Sequence, residues 1–124
     1  MWRFAAHYGA KGAVPDGSQA TDNDTLRRLT ELLARAAKPK YIILSGSRAR
    51  GEASEDSDFD VMVVESEVAN RGEEMVRLGR LLRSLGVEVD LLVVSADKFE
   101  YWRDTPGNVY FEAASEGRML YEAA

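Results

Sequence analysis

The fold and the candidate site are both decided by one stretch of the chain, which reads Tyr41-Ile-Ile-Leu-Ser-Gly-Ser-Arg-Ala-Arg-Gly-Glu-Ala-Ser-Glu-Asp-Ser-Asp-Phe-Asp-Val-Met-Val-Val64. The first four and the last four residues are continuous apolar runs rich in β-branched side chains. Such runs are typical of strands that are buried on both faces. Between them the composition changes to small and charged residues. The stretch therefore predicts two core strands joined by a polar segment that carries the chemistry.

The polar segment begins with a candidate phosphate-binding turn. Gly46 and Ser47 follow the first strand at the point where the chain must turn. A residue without a side chain lets backbone N–H groups approach a phosphate closely. The residues from Ser47 to Arg50 predict a short helix whose N-terminal amides face the bound group. The sequence therefore predicts Gly46 and Ser47 as part of a nucleotide-binding element.

Two interpretations stay open for Arg48 and Arg50, which lie in the same short helix. They are candidate phosphate ligands, because a guanidinium group presents paired N–H donors that match phosphate oxygens. They are equally compatible with a solvated position or with ion pairs to Glu52 or Glu55, as is common for arginines on a short exposed helix.

Carboxylates at the start of two strands form a candidate metal site. Asp58 and Asp60 open the second strand two residues apart, so their side chains point to the same side of the sheet. Asp90 lies within the next apolar run, where a charge needs a reason, and Glu88 on the same strand face is an alternative to it. Converging carboxylates are typical of a site for a hard cation. The pattern predicts Asp58, Asp60 and Asp90 as metal ligands and catalytic residues.

Together these residues predict a nucleotidyl-transfer site that uses two Mg²⁺ ions. Asp58 and Asp60 would bridge the ions, one of which holds a triphosphate while the other lowers the pKa of the attacking hydroxyl. Asp90 would complete the ligand set of the second ion and accept the proton. Ser47 and the amides after Gly46 would hold the terminal phosphates, so that the α-phosphorus lies in line with the nucleophile.

Composition limits the classes of protein that fit. A chain of 124 residues with 45% hydrophobic and 30% charged residues predicts one domain. The net charge of −5 argues against direct nucleic-acid binding over a broad face, although a single nucleotide neutralised by metal is compatible with it. The absence of cysteine excludes disulfides and a cysteine nucleophile. The apolar runs are too short to span a membrane, so we expect a cytoplasmic protein.

The rest of the chain predicts alternating helices and strands, hence an α/β (α+β) domain in which helices flank a small mixed sheet. Residues 1–21 contain glycine and proline without a sustained period, which predicts an irregular leader before a domain over residues 22–124. The sequence predicts four further helices, which run from Asp22 or Asp24 to Ala37, from Val68 or Asn70 to Leu85, over Ala96–Arg103 and over Val109–Ser115. It also predicts four strands, at Lys40–Ser45, Phe59–Val64, Val87–Val94 and, as an edge strand, Arg118–Tyr121.

Aromatic residues near the end of the chain are the remaining candidates for a binding role. They would stack on a base or face a partner, but aromatic residues in a small domain more often belong to the core, which is the interpretation we favour. The residues are Tyr101, Trp102, Tyr110 and Phe111.

The motif resembles the signature of the nucleotidyltransferase superfamily. It reads Gly46-Ser47-x-Ala49-Arg50-Gly51, then six residues, then Asp58-x-Asp60, with Val89-Asp90-Leu91 downstream. From about Asp24 to Glu122 the chain is similar to the minimal nucleotidyltransferases, small antitoxins that are paired with HEPN-domain ribonuclease toxins.

The resemblance implies a polymerase-beta-like fold, Mg²⁺-dependent use of ATP, and transfer of AMP to a tyrosine hydroxyl of the partner HEPN toxin. Gly46, Ser47, Asp58, Asp60 and Asp90 all match the family pattern. The choice of ATP over other triphosphates and the identity of the acceptor follow from the resemblance alone.

Two alternatives belong to other classes. One is a non-catalytic antitoxin that masks the HEPN toxin by binding to it; against it, carboxylates on buried strands cost desolvation energy unless a metal neutralises them. The other is an enzyme with a small-molecule acceptor, as in the aminoglycoside nucleotidyltransferases, which usually carry an additional helical domain. Size and negative charge disfavour a template-dependent polymerase.

Overall fold

The computed structural model of this chain describes residues 2–4, 17–54 and 57–124. These residues form strands and helices that alternate along most of the chain. In order, they are β1 (Trp2–Phe4), α1 (Gly17–Ala37), β2 (Tyr41–Ser45), α2 (Gly46–Arg50), β3 (Phe59–Glu65), α3 (Arg71–Leu82) with a 3₁₀ turn at Arg83–Leu85, β4 (Val89–Ser95), α4 (Ala96–Trp102), α5 (Val109–Glu116) and β5 (Arg118–Ala123).

The strands form one mixed sheet in the order β1-β5-β2-β3-β4. β3 and β4 are parallel, whereas the other neighbouring strands are antiparallel. Parallel strands begin at the same end of a sheet and need a crossover, which α3 provides here. β2 finishes at the end where β3 and β4 begin, so Ser45, Asp60 and Asp90 meet there. The predicted mixed sheet with flanking helices is confirmed.

Each face of the sheet has its own hydrophobic core. The face under α1 and α3 buries Leu26, Leu29, Leu33, Val61, Val63, Leu78 and Leu82, among others. The face under α4 and α5 buries Ile43, Met62, Val64, Val94, Phe99 and Ala113. Because side chains alternate along a strand, Asp60 lies on the same face as Met62 and Val64. The central carboxylate therefore belongs to the face that α4 and α5 cover.

Capping residues delimit α3. It begins after Asn70, whose side chain accepts a hydrogen bond of 3.0 Å from the backbone N–H of Glu73. A cap of this kind contributes about 1 kcal/mol to helix stability. The 3₁₀ turn that follows the helix stops at Gly86, which has a φ of +69°. These limits agree with the predicted start near Asn70 and the predicted stop at Gly86.

Three predictions of local structure are wrong. The first helix begins at Gly17 rather than at Asp22 or Asp24, and Trp2–Phe4 is a strand rather than part of an irregular leader. β1 pairs with β5, a contact between opposite ends of the chain that no local pattern signals. For the same reason β5 is an internal strand and not an edge strand. The rest of the predicted leader, residue 1 and residues 5–16, lies outside the described residues, and the domain boundary at residue 22 stays a prediction.

Across residues 17–54 and 57–124, no helix combines the length and the apolar character needed to cross a bilayer.

Candidate active site

Three strands bring a row of polar residues to one end of the sheet. Asp60 in β3 is the register partner of Ser45 in β2 and of Asp90 in β4. The Ser45 hydroxyl donates a hydrogen bond of 3.5 Å to the backbone oxygen of Asp60. Directly opposed residues in a parallel pair have their side chains on the same face of the sheet. The sheet register therefore places the Asp60 and Asp90 side chains next to each other, as the sequence predicts.

Asp60 is the central group of this row. It is half-buried, and burial is the main reason why its pKa is raised above its ordinary value. The negative charges of Asp90, Asp58 and Glu112 raise the pKa further, whereas the positive charge of Arg50 lowers it. Several carboxylates thus act on one another, and their repulsion favours a bound cation.

The other two aspartates are more open to water than expected. Asp58 and Asp90 are both exposed. The argument that burial of three carboxylates would cost desolvation energy therefore holds for Asp60 alone.

Glu88 is the alternative to Asp90, and the structure separates the two. Glu88 is exposed and precedes β4, and its backbone oxygen accepts a hydrogen bond of 2.9 Å from the N–H of Phe59. Asp90 lies inside β4, opposite Asp60. The geometry favours Asp90 as the third carboxylate of the site.

Gly46 forms the turn between β2 and α2. Its φ of +71° lies in the left-handed region that side chains other than glycine rarely adopt. A Cβ atom on Gly46 would overlap Asp60 Oδ2 and would lie 3.0 Å from Asp60 Cγ. The turn thus needs glycine for two reasons, its backbone conformation and the carboxylate against it. Ser47 follows in α2 and is half-buried.

Arg48 is held by protein groups. Its side chain is only 9% exposed and lies over the ring of Phe59 at 4.0 Å. It donates hydrogen bonds of 3.0 and 2.7 Å to the backbone oxygen of Ser57 and one of 2.8 Å to Asp22. These contacts give Arg48 a structural role that the sequence did not reveal, because Asp22 is 26 residues away. A phosphate-binding role for Arg48 would require these bonds to break and stays a prediction.

Arg50 pairs with carboxylates on two elements. It contacts Glu52 at 2.8 Å, and it contacts Glu112 at 3.2 Å and Glu116 at 3.6 Å on α5. The pairing with Glu52 is one of the two interpretations that the sequence left open, whereas the partners on α5 were missed because they are distant in sequence. Glu55, the other predicted partner, lies outside the described residues.

A cleft of about 570 Å³ opens beside this ion-pair cluster. The residues that line it come from α2, α5 and the loop before α5, and they are Arg50, Gly107, Asn108, Val109, Phe111, Glu112 and Glu116. Glu112 and Arg50, which line this cleft, both act on the pKa of Asp60.

The expectation that the late aromatic residues belong to the core is only partly correct. Tyr110 packs against the core under α4 and α5. Tyr101 is 74% exposed and Trp102 is 39% exposed, and their rings meet edge to face with centroids 4.9 Å apart. Phe111 lines the cleft beside Arg50. The pair on α4 is a surface feature.

The donor set fits a divalent cation such as Mg²⁺. Carboxylate oxygens are its preferred protein ligands. Burial first, and the charges of Asp90, Asp58 and Glu112 second, raise the pKa of Asp60, and a bound cation would favour its ionised form. Within residues 17–54 and 57–124, no three carboxylate, histidine or cysteine side chains already stand in a ligating arrangement.

Comparison with known proteins shows that the chain belongs to the nucleotidyltransferase domain family, whose model matches residues 26–116. It is therefore an enzyme of the nucleotidyltransferase class. Two proteins of Methanocaldococcus jannaschii, both named "putative protein adenylyltransferase", are its relatives. One is 38% identical over 71 residues, which cover 56% of this chain and 71% of the relative. The other is 35% identical over 98 residues, which cover 79% of this chain and 91% of the relative.

Solved structures show the same fold. A "putative nucleotidyltransferase" from Sulfolobus solfataricus superposes with a TM-score of 0.59 at 18% identity, over 87% of this chain and 89% of that one. A mutant of the toxin–antitoxin complex MntA–HpeT gives 0.56 at 19% identity, and a toxin–antitoxin structure with AMP-PNP gives 0.57 at 21%. Each of these covers 79% of this chain and 73% of the other. At sequence identities this low, a structural likeness shows only the fold. The superpositions confirm the predicted fold class.

Proposed function

We propose that this enzyme transfers AMP from ATP to a tyrosine hydroxyl of a partner HEPN ribonuclease toxin and thereby acts as its antitoxin. The observation that carries the proposal is the register of Asp60 opposite Asp90, with Gly46 packed against the Asp60 carboxylate. A protein acceptor is supported by the relative named as a protein adenylyltransferase, 91% of which aligns with this chain. A toxin partner is supported by the structural likeness to antitoxin complexes.

Asp58, Asp60 and Asp90 would hold two Mg²⁺ ions. When bound, the ions neutralise the triphosphate and lower the pKa of the acceptor hydroxyl. Ser47 and the backbone after Gly46 would hold the terminal phosphates, so that the α-phosphorus lies in line with the acceptor oxygen. The acceptor oxygen forms a bond to the α-phosphorus, the bond to the oxygen bridging to the β-phosphorus breaks, and pyrophosphate leaves. Asp90 accepts the hydroxyl proton.

Attachment of AMP would inactivate a ribonuclease through charge and size. A tyrosine that carries AMP near a ribonuclease site repels RNA phosphates and fills the groove that they occupy. Because one antitoxin molecule modifies many toxin molecules, inhibition does not require equal amounts of the two proteins.

A masking antitoxin is the second candidate, and the exposed Tyr101–Trp102 pair is the surface that it would use. Tyrosine and tryptophan are enriched at protein interfaces, and this pair presents two aromatic rings on the surface of α4. A docking surface is also what an enzyme with a protein substrate needs. The pair is therefore compatible with both mechanisms, and stoichiometry separates them.

The test mixes a substoichiometric amount of this protein with the toxin, ATP and Mg²⁺. We expect the mass of AMP to appear on a toxin tyrosine and ribonuclease activity to disappear. Asp60→Asn should do neither, whereas the matched control Glu31→Gln, an exposed carboxylate on α1, should behave like the wild type. Inhibition that needs equimolar protein and no ATP, and that survives Asp60→Asn without a mass change, would establish masking instead.

A further inference from the structure

The outer face of α3 carries two exposed apolar side chains. Val76 is 55% exposed and Leu81 is 40% exposed, which is unusual for side chains of this size on a helix that is packed on its other side. Leu78 and Leu82 occupy that other side and are buried in the core under α1 and α3. The exposed side chains border a shallow groove. The residues that line it are Gly72, Glu73, Val76, Arg77, Arg80 and Leu81, and we call this surface the α3 face.

The order of residues on the α3 face is symmetric about the midpoint between Val76 and Arg77. Glu73 and Arg80 are equally far from that midpoint, on opposite sides and with opposite charges. The charged positions of the face are therefore complementary about this midpoint, and the exposed Val76 lies beside it.

We propose that the α3 face binds the α3 face of a second copy of this chain in an antiparallel helix pair. A two-fold axis through the midpoint places Glu73 of each copy against Arg80 of the other, which gives two ion pairs of the same kind. It also brings Val76 of each copy, which lies next to the axis, beside Val76 of the other. A parallel pair would instead oppose Glu73 to Glu73 and Arg80 to Arg80.

Arg77 contributes less to this pairing than Arg80 does. Its guanidinium donates hydrogen bonds of 2.8 and 2.9 Å to the Glu74 carboxylate and one of 3.0 Å to the backbone oxygen of Ala36. These bonds hold Arg77 within its own subunit. Arg80 is thus the cation on this face that meets the second copy.

The proposed pairing leaves the active site open. α3 packs on the sheet face that α1 also covers, whereas the side chains of Asp60 and Asp90 lie on the opposite face. Both sites of the dimer would remain accessible to a nucleotide and to a protein substrate. The pairing therefore places two active sites in one particle without blocking either.

The size of the surface predicts a weak dimer. α3 has 12 residues, which corresponds to about 18 Å of helix. One pair of helices of this length buries less than the roughly 800 Å² per partner of a standard interface. We expect association at micromolar concentrations and dissociation on dilution.

Sedimentation velocity of the full chain across a dilution series tests the proposal with charge-reversal variants. Glu73→Arg alone and Arg80→Glu alone place like charges opposite each other twice, so self-association should weaken by about a hundredfold. An equimolar mixture of the two variants should form a heterodimer, because each contact then joins opposite charges. The double variant Glu73→Arg with Arg80→Glu should dimerise by itself. Asp97→Arg, an acidic residue in the first turn of α4, is the matched control and should not change association.

Each outcome decides the question, provided that circular dichroism shows every variant to be folded. Val76→Ser should also weaken the dimer, by loss of apolar contact next to the axis rather than of charge. Restoration on mixing supports the antiparallel pair. A wild type that stays monomeric throughout the series would overturn the proposal, and so would a dimer that charge reversal leaves intact or that mixing does not restore.

Discussion

Gly46 and Asp60 share so little space that a single methyl group on Gly46 would overlap the Asp60 carboxylate. We predict that Gly46→Ala displaces this carboxylate and abolishes nucleotidyl transfer. The left-handed φ of +71° adds about 1–2 kcal/mol of strain, so the free energy of unfolding should fall by a similar amount. Transfer assays and urea unfolding measure the two effects. Gly51→Ala is the matched control, since Gly51 has a similar φ of +74° but open space around it. Equal activity losses in both variants would show that strain alone is responsible.

Ser47 follows that turn, and its hydroxyl is predicted to bind a phosphate oxygen. Loss of one hydrogen bond to a charged group costs about 1.5–3 kcal/mol, so Ser47→Ala should slow transfer by roughly ten- to a hundredfold. The melting temperature should hardly change. An unchanged rate would mean that the turn does not hold the substrate.

The carboxylates give a prediction about metal and nucleotide together. Mg²⁺ with a non-hydrolysable ATP analogue should raise the melting temperature of the wild type, because a ligand that binds only the folded state stabilises it. Asp58→Asn combined with Asp60→Asn should abolish this shift. The ligand-free double variant should be at least as stable as the wild type, because burial and neighbouring charges disfavour ionised Asp60 in the folded protein. A full shift in the double variant would place the nucleotide site elsewhere.

The core strands and the acidic site could be predicted because both depend on short local patterns. Val61 to Val64 identify a buried strand, and Asp58 and Asp60 lie on one face of it because of the two-residue period alone. Asp90 stood out as a charge within an apolar run. The register that places Asp90 opposite Asp60 follows from parallel pairing, which the sequence does not specify residue by residue.

Contacts between distant parts of the chain could not be predicted. β1 forms a strand by pairing with β5, which comes from the opposite end of the chain. Arg48 meets Asp22 of α1, and Arg50 meets Glu112 of α5 from 62 positions away, and only the tertiary fold brings these residues together. The sequence alone does not distinguish arginines that pair with such carboxylates from arginines that bind a phosphate.

Glu65 makes stability depend on pH. It is 9% exposed, and burial first and the neighbouring Glu74 second raise its pKa to about 8 from an ordinary 4.5. The folded protein thus binds this proton more tightly than the unfolded chain does. The stabilisation is complete below pH 4.5 and is lost as the pH rises to about 8, at up to about 1.4 kcal/mol per pH unit.

Unfolding in urea at intervals between pH 5 and 9 measures this loss. Glu65→Gln should flatten the decline and should be more stable than the wild type at the alkaline end. The pKa of Glu74 is lowered by its hydrogen bond to Arg77, so its own contribution is lost only under more acidic conditions and does not interfere. Parallel stability curves for wild type and variant would contradict the assignment.

The last prediction separates the two arginines of α2. Arg48→Lys keeps the charge but loses the forked donors that bind the Ser57 oxygen and Asp22, so it should cost about 1.5–3 kcal/mol of unfolding free energy. Arg50→Lys should change stability little, because its ion pairs are exposed to solvent. If the nucleotide recruits Arg50 from Glu112, Arg50→Lys should raise the KM for ATP at unchanged stability. The assignment would be contradicted if Arg48→Lys kept full stability but bound ATP weakly. Arg48 would then be the phosphate ligand, because a side chain that binds a phosphate cannot at the same time hold the backbone oxygen of Ser57.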